Sequence, residues 1–142
     1  MSRIILDTNV ISEPRRPSPD PRVRAWFEAQ EVERLYLTTT VLGELAVGIE
    51  RMPAGRRRAD FRHWLDSLIT EDFAGRILTF DVEAALIYAK LVAEALARGR
   101  PPTVGDAQIA AVARRDRMAV ASRDVRDFEA LDVPIIDPWQ HA

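Results

Sequence analysis

Arg3-Ile4-Ile5-Leu6-Asp7 opens the sequence with an unbroken apolar run that ends on an acid. A run so short and so apolar predicts a strand at residues 3–6 covered on both faces, as in a parallel sheet. Downstream, Pro14, Pro17, Pro19 and Pro21 mark a loop before a helix expected near residues 22–30. Leu35-Tyr36-Leu37 reads as a second strand, after which one of Thr38, Thr39 and Thr40 caps a helix reaching about Met52. Phe61, Trp64, Leu65, Leu68 and Ile69 recur at helical spacing within a helix expected over 56–73. A third strand is expected at 77–80. Asp81 then caps a helix to about Arg98 whose inner face carries Leu86, Ala89, Val92, Ala93 and Leu96. Beyond Gly99-Arg100-Pro101-Pro102, a helix at 103–115 leads to strands at 118–121 and 134–136. This alternation implies one α/β domain spanning residues 1–142, with a parallel sheet of about five strands and helices on both faces.

Composition bounds the function. The 142 residues are 47% hydrophobic and 30% charged, which excludes a disordered chain. There is no cysteine, so disulfides and thiolate metal sites are excluded. The apolar run before Asp7 is too short for a signal peptide or a membrane span, and a cytoplasmic protein is expected. Net charge is −2, with Lys90 the only lysine among twenty cationic residues. Arginine suits bidentate recognition of phosphate, although an arginine- and alanine-rich composition also arises from genomic base bias.

Four carboxylates stand out. Ligands of open parallel sheets gather beyond the carboxyl ends of the strands. Asp7 directly follows the first strand and Asp124 lies three residues after the fourth. Glu44 falls on the stripe formed by Val41, Leu45, Gly48, Ile49 and Met52, and Asp106 shares a face with Ile109, Ala110 and Ala113. An acid on the packed face of a helix must be paired, protonated or metal-bound, because burying it alone is costly. All four are hard oxygen ligands with no histidine or cysteine close in sequence, which suits Mg²⁺ or Mn²⁺. Asp7 could also simply cap a turn, and Thr103-Val104-Gly105-Asp106 could be a capping box.

The motifs carrying these acids resemble those of the PIN-domain family. Ile4-Ile5-Leu6-Asp7-Thr8-Asn9-Val10 is similar to its first motif and Val41-Leu42-Gly43-Glu44-Leu45 to its second. Gly105-Asp106-Ala107-Gln108-Ile109-Ala110-Ala111 resembles the third, and Ala121-Ser122-Arg123-Asp124-Val125-Arg126-Asp127-Phe128 the fourth. Length and motif order resemble the VapC-type toxins, and Ile136-Asp137-Pro138-Trp139 resembles their FitB-like branch. The resemblance implies a PIN-like three-layer fold and an Mg²⁺- or Mn²⁺-dependent endoribonuclease with one or two ions per site. It also implies a homodimer, inhibited within a larger assembly by a small antitoxin that has a DNA-binding domain. Asp7, Glu44, Asp106 and Asp124 would then be catalytic metal ligands, supported by Thr8, Asn9 and Ser122. Asp127 is the alternative fourth acid, because many relatives place theirs nearer the Asp-Phe pair.

RNA approaching an acidic centre needs cations, and Arg15, Arg16, Arg98 and Arg100 are the candidate phosphate contacts. Arg51, Arg56, Arg57, Arg58 and Arg62 read instead as a solvated helix face. Trp26 and Trp64 read as core residues, and His63 and His141 as incidental. Three rivals are an inactive PIN-like binding module, a related DNA nuclease and an Asp7 phosphatase or phosphoacceptor. The last is disfavoured by Asn9, which stands where such a motif needs a second acid.

Overall fold

The computed structural model describes residues 2–142. Five parallel strands form one sheet in the order β3-β2-β1-β4-β5: β1 Ile4–Leu6, β2 Leu35–Thr38, β3 Ile77–Leu78, β4 Ala119–Ala121 and β5 Ile135–Ile136. β1 is central, with Ile4 opposite both Leu35 and Ala119. All three of its residues are buried, as their uniform apolarity requires. The strand order reverses between β2 and β4, on either side of β1, the kind of switch point where α/β sheets bind ligands.

The helices are α1 Thr8–Ser12, α2 Pro21–Glu28, α3 Thr39–Glu50, α4 Arg56–Ser67, α5 Val82–Ala97, α6 Val104–Asp116 and α7 Val125–Glu129. Thr38 is the threonine that caps α3, its hydroxyl accepting from the Val41 N–H, and Asp81 caps α5. The helix expected over 56–73 is α-helical only to Ser67 and continues through a π turn at Leu68–Asp72. Two short helices, α1 and α7, have no counterpart in the sequence reading. Each is only five residues long, too short to display a hydrophobic period.

The expected inner face of α5 is corrected. Ala84, Leu91 and Ala95 are buried, with Ile87 and Tyr88 packed against the core. Leu86 and Leu96 are 66% and 57% exposed, and Val82 is 79% exposed. The helix is apolar on two stripes, so periodicity could not tell which one the sheet covers. Arg115, nearly buried on α6, secures the start of α5 by donating to Thr79 O (2.7 Å) and Asp81 Oδ1 (2.8 Å).

Glu13, just after α1, is buried and was not singled out in the sequence. Its Oε2 accepts from the Asp20 N–H (2.9 Å) and its Oε1 from Arg16 (3.3 Å), folding the proline-rich loop back on itself. Glu13→Ala should therefore lower unfolding free energy by about 1–3 kcal/mol in a urea titration. An unchanged denaturation midpoint would show that the loop holds without it.

Candidate active site

β1 delivers Asp7 to the switch point, and the Asp7 N–H continues the ladder by donating to Ala121 O (2.9 Å). The Asp7 side chain is 4% exposed. Its Oδ1 accepts from the Thr8 N–H (2.8 Å), capping α1, and its Oδ2 accepts from Ser122 Oγ (2.6 Å). Ser122 is the buried residue that follows β4, and its hydroxyl also accepts from the Asp124 N–H (2.9 Å). One hydroxyl thus ties the end of β1 to the turn carrying Asp124. Asn9 closes the arrangement: its Nδ2 donates to Asp124 Oδ2 (3.3 Å), while its Oδ1 accepts from the Arg123 N–H (3.3 Å).

Glu44 departs from expectation. It lies on α3 beside the buried Val41, Leu45 and Ile49, yet is itself exposed, so no burial penalty applies to it. Local contacts fix it instead. Thr8 Oγ1 donates to Glu44 Oε1 (2.7 Å), and a β-carbon at Gly105 would stand 2.7 Å from Oε2. The carboxylate rests against the bare backbone of α6, one residue from Asp106. Glycine at position 105 is what leaves room for it.

Asp106 is half-buried in the first turn of α6, and its N–H donates to Thr103 Oγ1 (3.2 Å). Thr103 thus caps α6, the alternative that the sequence offered for this motif, and Asp106 remains beside the other acids. Burial pushes the Asp106 carboxyl up to about 6, reinforced by the Asp7 charge and weakly by Asp124 and Asp127. Burial likewise raises Asp7 above the usual carboxylate range. Its bonds to Ser122 and Thr8 pull it back, while Glu44 and Asp124 add repulsion. Asp124 and Asp127 are both exposed, but only Asp124 is bonded into the Asn9–Ser122 network.

The donor set is chemically suited to a hard divalent cation: carboxylate oxygens alone, and among the described residues none of the five acids forms an ion pair. The carboxylates are nevertheless spread, and no three of the described acids converge tightly enough to enclose an ion as they stand. Glu44 and Asp124 are exposed, each held by one side-chain hydrogen bond, from Thr8 and from Asn9.

The candidate arginines separate. Arg15 lies over the rings of Phe61 (4.7 Å) and Trp64 (5.4 Å) on α4. Arg16 pairs with Glu13, Arg98 donates to Ala130 O (2.7 Å), and Arg100 is exposed. Within the α4 cluster, Arg62 pairs with Glu50 and Arg58 reaches Met52 O, as a solvated face would. Trp26 is core, while half-buried Trp64 both packs on the core and lines a surface recess. Two features escaped the sequence reading: Gly105 as the seat of Glu44, and Thr40 donating to Gln108 Oε1 (3.0 Å) beside it. Gly105 was visible next to Asp106, but only the fold brings α3 against it.

The profile of the PIN domain family matches residues 4–134. The chain belongs to the PIN-domain family. Within that family, a protein named VapC ribonuclease Y4jK from Sinorhizobium fredii is 44% identical over 139 residues, covering 98% of this chain and 99% of that protein. Toxin FitB from Neisseria gonorrhoeae is 40% identical over 136 residues, covering 96% and 98%. A solved structure of FitAB bound to an IR36 DNA fragment superimposes with a TM-score of 0.92 at 39% identity, covering 98% of this chain and 97% of that one. PIN domains of the VapC type are nucleases, a class of hydrolase. No helix among the described residues is long and apolar enough to cross a membrane.

Proposed function

We propose that this PIN domain is the toxin of a toxin–antitoxin pair, an endoribonuclease that hydrolyses RNA at Asp7, Glu44, Asp106 and Asp124. The observation that carries this reading is the group of acids without cationic partners around Asp7, at the switch point of the sheet. Residues 1–142 are read as one domain, which the profile match over 4–134 supports. Mg²⁺ or Mn²⁺, as one or two ions, would be held by Asp7 and Asp106 with Glu44 and Asp124 completing the set; Asp127 is the reserve. When bound, such an ion lowers the pKa of water and polarises the phosphoryl oxygen.

The chain's own residues prepare that chemistry. Ser122 and the Thr8 N–H fix both oxygens of Asp7, so it enters the reaction already oriented. Thr8 holds Glu44 and Asn9 holds Asp124, so adjacent residues of α1 anchor the two exposed acids. Asp124, open to solvent, would hold a second ion or orient the attacking water. Among the candidate phosphate contacts, Arg15 is the one whose guanidinium is neither ion-paired nor given to a carbonyl yet is held in place by aromatic rings.

Incubation with RNA and with DNA of the same sequence, in Mg²⁺, Mn²⁺ or EDTA, tests the activity. RNA alone should be cut, and only with a metal ion. Preferential cutting of DNA, or cutting in EDTA, would overturn the assignment.

The raised carboxyls also give a pH signature. A carboxylate whose folded pKa exceeds its unfolded value stabilises the fold below about pH 3.8 and loses that contribution as pH rises through about 6. Without metal, the melting temperature should fall from pH 4.5 to 7, and Mg²⁺ should recover it chiefly above pH 6. A melting curve whose response to Mg²⁺ does not change with pH would contradict this.

We read the partner as a small antitoxin with a DNA-binding domain, supported by the likeness to the FitAB complex with DNA. The chain is further read as a homodimer, for which the outward stripe of Val82, Leu86 and Leu96 on α5 offers apolar surface. Leu86→Glu should then sediment as a monomer where the parent chain is a dimer. Equal masses for the two would exclude this face.

A further inference from the structure

Next to Glu44, between α1, α3 and α4, lies a recess of about 250 Å³. Its walls are almost wholly apolar, with Leu45, Ile49, Met52, Phe61 and Trp64 prominent and Thr8, Ser12 and Glu44 on the side of the acids. That is below the roughly 300–1,000 Å³ of ordinary small-molecule sites, room for a single planar ring system. Phe61 and Trp64 meet edge to face (5.9 Å between centroids, 86° between planes), and neither is fully buried. Arg15 lies over both rings, and Arg57 lies 5.8 Å from the Phe61 centroid. Among the described residues neither guanidinium forms an ion pair, although Asp60 and His63 share the neighbouring depression with Arg15.

We propose that this recess is a base-stacking subsite for one nucleotide flanking the cleaved phosphate, with Phe61 as its platform and Arg15 contacting the adjoining phosphate. The proposal rests on the ribonuclease reading. Single-stranded nucleic acid presents a phosphate and a flat base at every step, and proteins meet it with aromatic platforms beside cations. Here both are present: Phe61 lines the recess together with Glu44, and Arg15 lies over that ring from the neighbouring depression. A strand with its scissile phosphate at the acids has its next base within reach of the recess. Cations with their hydrogen-bonding capacity unspent beside an aromatic ring complement that anionic strand; a purely apolar peptide side chain would leave them unmatched. The subsite would therefore contribute to which sequence is cut.

The test uses a short oligoribonucleotide spanning the main cut site of the unaltered protein, and versions with one abasic residue at each flanking position. At one position the missing base should lower kcat/KM about tenfold for the parent protein. In Phe61→Ala that loss should disappear, since no stack remains to lose. Arg15→Ala should raise KM with kcat nearly unchanged and weaken the salt dependence of binding. Phe61→Leu, which keeps apolar bulk without a π face, replaces Phe61→Ala if the latter melts early. An abasic penalty equal in parent and variant would overturn the proposal, as would normal RNA kinetics with weakened binding of the protein partner. No cleavage by the parent protein would defeat the ribonuclease reading itself, a result separable from the others because it precedes any variant.

Discussion

Asp7→Asn should lose at least about 10²–10³-fold in RNA cleavage, the scale of removing one essential electrostatic group from an active site. The substitution is nearly isosteric. Its remaining carbonyl oxygen can still accept from the Thr8 N–H, and its amide can donate to Ser122 Oγ, which already accepts from the Asp124 N–H. What disappears is the charge. Because burial and the neighbouring Glu44 and Asp124 make that charge unfavourable without a counter-ion, the variant should melt no lower than the parent in EDTA at pH 7. Mg²⁺ should raise its melting temperature less than it raises the parent's. Full activity in Asp7→Asn would remove Asp7 from the catalytic group, and a large drop in metal-free stability would mean that its role is structural.

Gly105→Ala should separate activity from stability in the opposite direction from most substitutions. In the first turn of α6, alanine is preferred to glycine by roughly 0.5–1 kcal/mol, because the unfolded chain has less freedom to lose. Among the described residues the nearest atoms to the new methyl group belong to the far end of Glu44, a flexible exposed side chain that can move aside. The helix should therefore be kept or slightly strengthened. Glu44, however, is driven from its seat beside Asp106, and a misplacement of that order costs about 10²-fold in rate. Restoring space with Gly105→Ala combined with Glu44→Asp should recover part of the loss if displacement is the cause. A fully active Gly105→Ala would show that the resting position of Glu44 is irrelevant to turnover.

Most of the fold was legible because its strands are short, apolar and bounded by breakers. Ile4–Leu6 reads as a covered strand and is one, and Asp81 caps α5 as its residue type suggests, whereas residue type alone left the α3 cap open among three threonines. Helix α5 was misjudged for a physical reason: Leu86 and Leu96 are as apolar as Leu91, and only the sheet decides which side is inside. The acids could be picked out in the sequence, but the burial argument for Glu44 does not hold, because that side chain is exposed. Its position depends on Thr8, 36 residues away, and on a missing methyl group on another helix. Cross-element contacts of that kind have no local signature. Nor does the Arg15 stack, which joins the loop after α1 to the middle of α4.

The order in which the strands pair has a consequence for biosynthesis. β1 leaves the ribosome first, yet one of its two neighbours, β4, lies more than a hundred residues later. Until residues 119–121 emerge, β1 is an open edge on that side, and Asp7 has neither the Ala121 carbonyl nor the Ser122 hydroxyl to hold it. A nascent or prematurely terminated chain can carry three of the four acidic motifs and still lack the contact that orients the first. With Asp7 in the proposed catalytic role, activity would wait until translation of the domain is nearly complete, a form of timing written into the strand order.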